Sequence, residues 1–117
     1  MTTQLNFGRD VQGYNAYAPM DSTDKFRALL TAGSATTITV PSNFPVWVVA
    51  FSPQPGADVL VDFSGATATA PSGATLTSTT TSLNPGQRTV LAGSTISVIT
   101  SNTTAEIGIE LWAVSYA

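Results

Sequence analysis

The sequence predicts an all-β fold: an eight-stranded, jelly-roll-like β-sandwich preceded by an irregular N-terminal arm. Three observations predict it. After residue 24 apolar residues recur with a period of two, turn signals interrupt these runs about every 8–12 residues, and no segment shows helical periodicity. We place the arm at residues 1–23 and one sandwich domain at 24–117, because a chain of 117 residues suits a single domain.

The predicted strands follow one another closely along the chain. They are 24–30, 34–40, 45–52, 57–63, a weaker one within 75–83, 87–91, 94–100 and 105–115. In most of them one face is apolar, as for Ile107 and Ile109 in the last strand. The strand 45–52 is apolar on both faces, which is typical of a central strand covered on both sides.

Turn residues separate these strands. They are Ala32-Gly33, Ser42-Asn43, the stretch 52–57, Asn84-Pro85-Gly86, Ala92-Gly93 and Ser101-Asn102. Eight strands in this order suit a jelly roll, which reduces the number of exposed sheet edges. Alternation does not reveal strand order, so an immunoglobulin-like sandwich is the alternative.

The composition argues against most chemistry. Histidine and cysteine are absent, which removes the commonest general base and thiolate metal sites, and no Gly-rich phosphate loop occurs. Only 9% of residues are charged, against about 25% in an average domain. With four Lys and Arg in total, no basic patch forms. We therefore expect no enzyme, no cofactor and no nucleic-acid partner.

Two pairs of carboxylates, Asp58/Asp62 and Glu106/Glu110, are spaced four residues apart on presumed strands. Such residues lie about 13 Å apart at ~3.3 Å per residue. Hydrolytic pairs need about 5–9.5 Å, so we interpret all four as solvent-facing charges. Asp21 and Asp24 are the only candidates for a weak calcium site, and we expect no metal there.

Residues 6–24, most of which form the arm, hold four of the eleven charged residues and two of the three tyrosines, although they lack strand alternation. Disordered tails are poor in aromatic residues, whereas aromatic and Arg side chains anchor interfaces. We therefore predict that the arm orders against a surface, and we favour that of another chain over that of its own domain. Its candidate interface residues are Phe7, Arg9, Asp10, Tyr14 and Tyr17.

Two further features are candidates for recognition. Trp47, Phe51 and Phe63 lie on apolar strands and are expected in the core. Trp112 shares a face with glutamates, so Trp112 and Tyr116 are candidates for an exposed interface or sugar platform, unless the second sheet or the arm covers Trp112. The Gly/Ala/Ser/Thr-rich stretch 64–81 is interpreted as a surface loop or as one that orders against a neighbouring subunit.

Longer stretches of the chain resemble a known group of proteins. Residues 6–26, 40–63 and 83–100 are similar to small structural proteins of tailed bacteriophages, and the resemblance runs from about residue 5 to 115. It implies a virion component, specifically a head decoration or cement protein on the capsid exterior. It also implies two partners, itself as a dimer or trimer and the major capsid protein. No site residue transfers from the resemblance.

The alternative function is a tail or fibre component that recognises host-surface carbohydrate, or a minor head–tail joining protein. The first residues show no signal peptide, and no apolar run approaches the ~20 residues needed to span a bilayer. We therefore expect synthesis in the cytoplasm of a bacterial host and no membrane partner.

Overall fold

The computed structural model describes residues 2–4, 7–9, 15–19 and 21–114, and for 7–9 and 15–19 it describes the backbone. Within these residues the chain forms ten β-strands and no helix. The strands are β1 Phe7–Arg9, β2 Asn15–Pro19, β3 Asp24–Thr31, β4 Thr36–Thr39, β5 Val46–Pro53, β6 Val59–Asp62, β7 Thr81–Leu83, β8 Gln87–Leu91, β9 Thr95–Thr100 and β10 Thr104–Ala113.

Strands β3 to β10 form two antiparallel sheets of four strands each. The first sheet has the order β3-β10-β5-β8 and the second has the order β4-β9-β6-β7. Strands from both sheets contribute to one apolar cluster, so the core lies between the sheets. The prediction of an all-β sandwich is therefore confirmed.

Strand β5 shows why the alternating pattern builds this core. It is a central strand as predicted, paired with β10 along one edge and with β8 along the other, but its outer face is not fully covered, since Val48 and Ala50 are half-buried. Trp47 and Val49 are 0% exposed, and Phe51 packs edge-on against Phe63 with ring centroids 5.8 Å apart. The prediction that the three aromatic residues Trp47, Phe51 and Phe63 belong to the core is confirmed.

The turn between β7 and β8 is held by its own first residue. Asn84 has a positive φ of 44°, a conformation that asparagine tolerates better than most residues. Its Oδ1 accepts a hydrogen bond from Val59 N at 2.7 Å, and its Nδ2 donates to Ala57 O at 3.2 Å. One amide side chain thus fixes this turn against the start of β6.

The arm is more regular than the sequence predicts. Strands β1 and β2 pair with each other as an antiparallel two-stranded ribbon, with Phe7 opposite Pro19 and Arg9 opposite Asn15. The prediction of an irregular arm is wrong for these residues. The register shifts between Phe7 and Arg9, and such a shift breaks the period of two by which a strand is recognised.

Residues 64–80, which we call the strap, lie between β6 and β7 and contain no strand. The weak strand predicted within 75–83 is correct only for Thr81–Leu83. The beginning of the strap lies on the outer face of the second sheet, where Ala68 packs with Leu60 and Ile99. The strap therefore covers a sheet face of its own domain.

Candidate functional site: the arm and the open face of the first sheet

The two ends of the arm meet at its base. Thr23 N donates a hydrogen bond to Thr3 Oγ1 at 2.8 Å, and the two threonine hydroxyls lie 2.7 Å apart. Ala113 N donates to Thr3 O at 2.8 Å, and Asn43 Nδ2 donates to Thr2 Oγ1 at 2.6 Å. The residues on the two sides of the arm, Thr2 and Thr3 before it and Thr23 after it, are therefore held at one place on the sandwich.

Ser22 fixes the point where the arm enters the sandwich. It is 2% exposed, and its hydroxyl donates to Leu111 O and accepts a hydrogen bond from Asp24 N at 3.0 Å. These two bonds join the start of β3 to β10. They orient the chain leaving the arm before strand pairing begins.

The predicted interface residues of the arm fall partly within the ribbon. Phe7 and Arg9 belong to β1, and Tyr17 belongs to β2. Asp10 and Tyr14 lie outside the described residues. The backbone thus brings three of the five candidates onto one two-stranded element.

The prediction of an exposed Trp112 is corrected by the structure. Trp112 is 4% exposed, although it lies on the outer face of the first sheet with Glu110. The pairing of β10 with β3 ends at Leu111, which lies opposite Asp24. Two residues further along β10, Ala113 is instead paired with Gln4 by a parallel bridge. The start of the chain therefore extends the sheet beside Trp112. Tyr116 lies outside the described residues.

Asp62 also departs from the prediction. Asp58 and Glu106 are exposed as expected and Glu110 is partly exposed, but Asp62 is 1% exposed. Hydrogen bonds from the Ser64 hydroxyl, from Thr80 and from Ser64 N hold the pKa of Asp62 below its ordinary value, although burial acts in the opposite direction. The covering strap is the reason that this charge does not face solvent.

The strap is attached to the second sheet at three points. Asp62 binds its first residue, Ser64, and its last residue, Thr80, while Ala68 N donates to Ser97 Oγ at 2.9 Å. The middle of the strap, residues 71–79, is exposed throughout, and Leu76 is 100% exposed. The strap therefore has an anchored beginning and end and an exposed tip.

The outer face of the first sheet carries a trough of about 350 Å³ that the sequence does not reveal. Its floor is Gly108, which lies in register between Arg27 of β3 and Ser52 of β5. Arg27 Nη2 lies 3.7 Å from Glu106 Oε2, and both side chains are mostly exposed. Lys25, Gln54 and Glu110 also line the trough.

Sequence alternation does not identify this trough. It assigns Gly108 to a polar face of its strand, but it does not show which residues of the adjacent strands lie beside Gly108. A glycine in the middle of a long strand is the one signal that could have done so, since such a glycine often marks a close approach of another chain or ligand. Here Gly108 lies in the middle of the continuous strand β10, which runs from Thr104 to Ala113.

A second, smaller cleft lies where the two sheets separate at their β3 and β4 edges. It has a volume of about 150 Å³ and is lined mainly by apolar residues, among them Ile38, Ile96 and Ile107. Phe26 also lines it and is 40% exposed. This cleft is an opening into the core rather than a polar site.

The calcium candidates at the end of the arm are separated by their own contacts. Asp21 forms an ion pair with Lys25 at 2.6 Å, and this hydrogen bond raises the pKa of Lys25. Asp24 turns its side chain towards the sandwich interior, and its Oδ2 has no hydrogen-bond partner in the described part of the chain. Nor do the described residues contain a group of three or more carboxylates that could hold a metal ion.

In the stretches that the structure describes, no helix is long and apolar enough to cross a membrane. Comparison with known proteins gives no match for this chain, whether among protein families, among curated proteins or among solved structures.

Proposed function

We propose that this protein is a non-enzymatic structural component of a bacteriophage particle, a capsid decoration protein that oligomerises on the outer shell and stabilises it. The observation that carries the proposal is the arm. Its strands β1 and β2 pair only with each other among the described strands, and its two ends are bonded together at Thr3 and Thr23. An isolated two-stranded ribbon is marginally stable and offers free backbone edges, so it favours addition to another chain.

We also propose that the sandwich is a jelly roll. The strand order supports this, because β3 neighbours β10 in the first sheet while β4 neighbours β9 in the second. Every connection from β3 to β10 crosses between the sheets, except that between β6 and β7. Nuclear Overhauser contacts between backbone protons of Ala28 and Ile107, and of Ile38 and Ile96, test the order. Their absence from the spectrum of the folded protein would contradict it.

The mechanism is mechanical. The sandwich domain is a rigid base, and the arm docks on the major capsid protein or on a neighbouring copy. Many copies at symmetry-related positions turn a modest affinity per copy into tight attachment through avidity. Such a protein works on the capsid exterior and needs no cofactor, nucleic acid or membrane.

Two deletions test the role of the arm. In one, residues 6–19 are replaced by three glycines, which preserves the bonds of Thr3 to Thr23 and Ala113. In the other, residues 1–20 are removed, which also removes those bonds. We expect both variants to lose binding to expanded shells in a co-sedimentation assay. The first should keep the full free energy of unfolding, whereas the second should lose about 1–2 kcal/mol with its hydrogen bonds.

If the glycine-bridged variant binds shells like the intact protein, the arm is not the docking element. If it fails to fold, the arm belongs to the core of its own domain. The full-length protein serves as the positive control, and shells that already carry it serve as the blocked control.

Copy number in purified particles decides between decoration and the alternative functions. Electron cryomicroscopy of the virion should show density repeated over the whole icosahedral shell. A few copies confined to the tail would instead support host-surface recognition. The observation that favours this second candidate is the exposed tip of the strap, residues 71–79, and the burial of Trp112 weighs against the platform expected from the sequence.

A further inference from the structure

Gly108 has no structural need to be a glycine within its own domain. Its φ is not in the left-handed region, and a Cβ at this position would meet nothing closer than Ser52 Cβ at 3.7 Å, an ordinary van der Waals contact. A glycine inside a strand makes the fold less stable than an alanine at the same position does. The missing side chain therefore leaves room for something outside the domain.

The two sheets differ in what covers their outer faces. The strap lies on the outer face of the second sheet. On the first sheet, the part around Gly108 remains open: the side chains of Arg27 and Glu106 are 78% and 61% exposed, and Leu29 is 64% exposed. An uncovered sheet face with an exposed leucine and a trough is a candidate interface.

The charges on this face are arranged in two neighbouring columns of opposite sign. Lys25 and Arg27 point outward from β3, and Glu106 and Glu110 point outward from the adjacent β10. The charges of these four side chains sum to zero. A surface of this kind is complementary to a copy of itself, as an interface with two-fold symmetry requires.

We propose that the outer face of the first sheet is a self-docking surface, on which a second copy of this chain packs face to face with its Arg27 over Gly108. A two-fold axis parallel to the strands, in the interface between β3 and β10, places β3 of each copy above β10 of the other. Such a rotation does not change the position of a residue along the strand, so residues that are paired in one sheet lie above each other in the dimer. Arg27 is in register with Gly108. Each guanidinium therefore enters the partner's trough and lies between Glu106 and Glu110 of the partner subunit.

The spacing along the strand suits this contact. Glu106 and Glu110 each lie two residues from Gly108, or about 6.6 Å at ~3.3 Å per residue. Both carboxylates can therefore reach one guanidinium, whose planar shape fits a floor without a side chain. In a single domain Arg27 makes one long ion pair of 3.7 Å with Glu106, so the second copy adds contacts that the isolated domain lacks.

This inference rests on the proposed function, because it names the surface through which two copies of the proposed decoration protein would bind each other. Its test uses complementary charge reversals in the full chain. One variant carries Arg27→Glu, and the other carries Glu106→Lys with Glu110→Lys. Each variant alone places like charges against each other at both contacts, whereas a mixture restores opposite charges at both.

We expect the intact protein to dimerise in analytical ultracentrifugation, and each variant alone to dimerise at least about tenfold more weakly. An equimolar mixture should recover the dimer. Arg88→Glu is the matched control, since it makes the same charge change on the exposed edge strand β8 and should dimerise like the intact protein. Gly108→Gln should fill the trough and abolish dimerisation with no loss in the free energy of unfolding.

A monomeric intact protein overturns the inference, as does an oligomer that Arg27→Glu and Gly108→Gln leave unchanged. Failure of the mixture to recover the dimer also overturns it. Shell binding by the same variants is measured separately. If a monomeric protein binds shells, this inference is wrong but the proposed attachment to the capsid is supported. If the protein dimerises through this face but never binds shells, the inference is supported and the proposed function is wrong.

Discussion

At the scale of single residues, Asp62 carries the greatest local consequence. Its carboxylate is 1% exposed and accepts hydrogen bonds from Ser64 N, the Ser64 hydroxyl and the Thr80 hydroxyl. A buried carboxylate is costly unless donors of this kind surround it. Here those donors belong to the two ends of the strap, so one side chain holds both ends on the second sheet.

Replacing Asp62 with alanine should therefore lower the free energy of unfolding by about 2–4 kcal/mol, because it leaves several donors without their charged acceptor. Urea unfolding followed by tryptophan fluorescence measures the change. Asp58→Ala is the matched control, since Asp58 is exposed just before the same strand β6 and its replacement should cost less than about 0.5 kcal/mol. Equal effects of the two substitutions would contradict the role of Asp62.

The same carboxylate predicts a pH dependence. The hydrogen bonds lower the pKa of Asp62 from its ordinary value of 3.8, so its ionised form stabilises the folded state. That contribution is fully present above the ordinary value and is lost as the pH falls through the lowered one. The stability advantage of the intact protein over Asp62→Asn should be constant above about pH 5 and shrink below pH 4. An advantage that persists unchanged at pH 2 would contradict this.

At the scale of elements, the structure shows how the strap is attached to its own domain, which its composition does not reveal. Its low-complexity sequence is typical of a mobile loop, but Ala68 is 2% exposed and its N–H binds the hydroxyl of Ser97. Ser97 itself is 0% exposed although it points away from the core. The strap thus supplies an apolar and polar cover for a sheet face that would otherwise meet water.

Ser97→Ala removes the acceptor for Ala68 N and should lower the free energy of unfolding by about 1–3 kcal/mol, the cost of an unsatisfied buried donor. It should also loosen the strap, so that chymotrypsin cleaves faster after the exposed Leu76. Ser101→Ala, at an exposed position just beyond β9, is the control and should change neither measurement. Unchanged cleavage in the Ser97 variant would argue against this attachment.

At the scale of the whole molecule, closure depends on strands that are far apart in the chain. Strand β3 pairs with β10, so Leu30 lies opposite Ala105, and Thr36 of β4 lies opposite Val98 of β9. Bringing together residues so far apart in sequence costs chain entropy, and this cost arises before the contacts between the strands can offset it. Folding of this sandwich is therefore limited by long-range pairing rather than by any single strand.

Refolding should accordingly take milliseconds to seconds, as for other proteins with non-local β topology. Stopped-flow dilution from urea, followed by the fluorescence of Trp47 and Trp112, measures it, since both side chains become buried on folding. The glycine-bridged variant without residues 6–19 should refold at a similar rate, because β1 and β2, the strands it lacks, are not part of either four-stranded sheet. Complete refolding within microseconds would contradict this reading of the topology.

Much of the fold follows from local pattern. Alternation and turn residues predict the all-β sandwich, the bounds of β8 at 87–91, and the inward faces that carry Trp47 and Ile107. These features depend on a strand's own period of two and on turn chemistry, both of which are written in adjacent residues. The arm was singled out by its aromatic content, but its register shift concealed the ribbon.

By itself the sequence determined the class of fold, the strands and the faces they turn towards the core. Only the tertiary structure decided the surroundings of the opposite faces: the strap lies over Asp62, the first residues extend the sheet beside Trp112, and the trough at Gly108 is open among the described residues. The physical reason is that alternation divides a strand into two faces but carries no information about distant segments. Burial of an outward residue depends on chain that returns from far away in sequence.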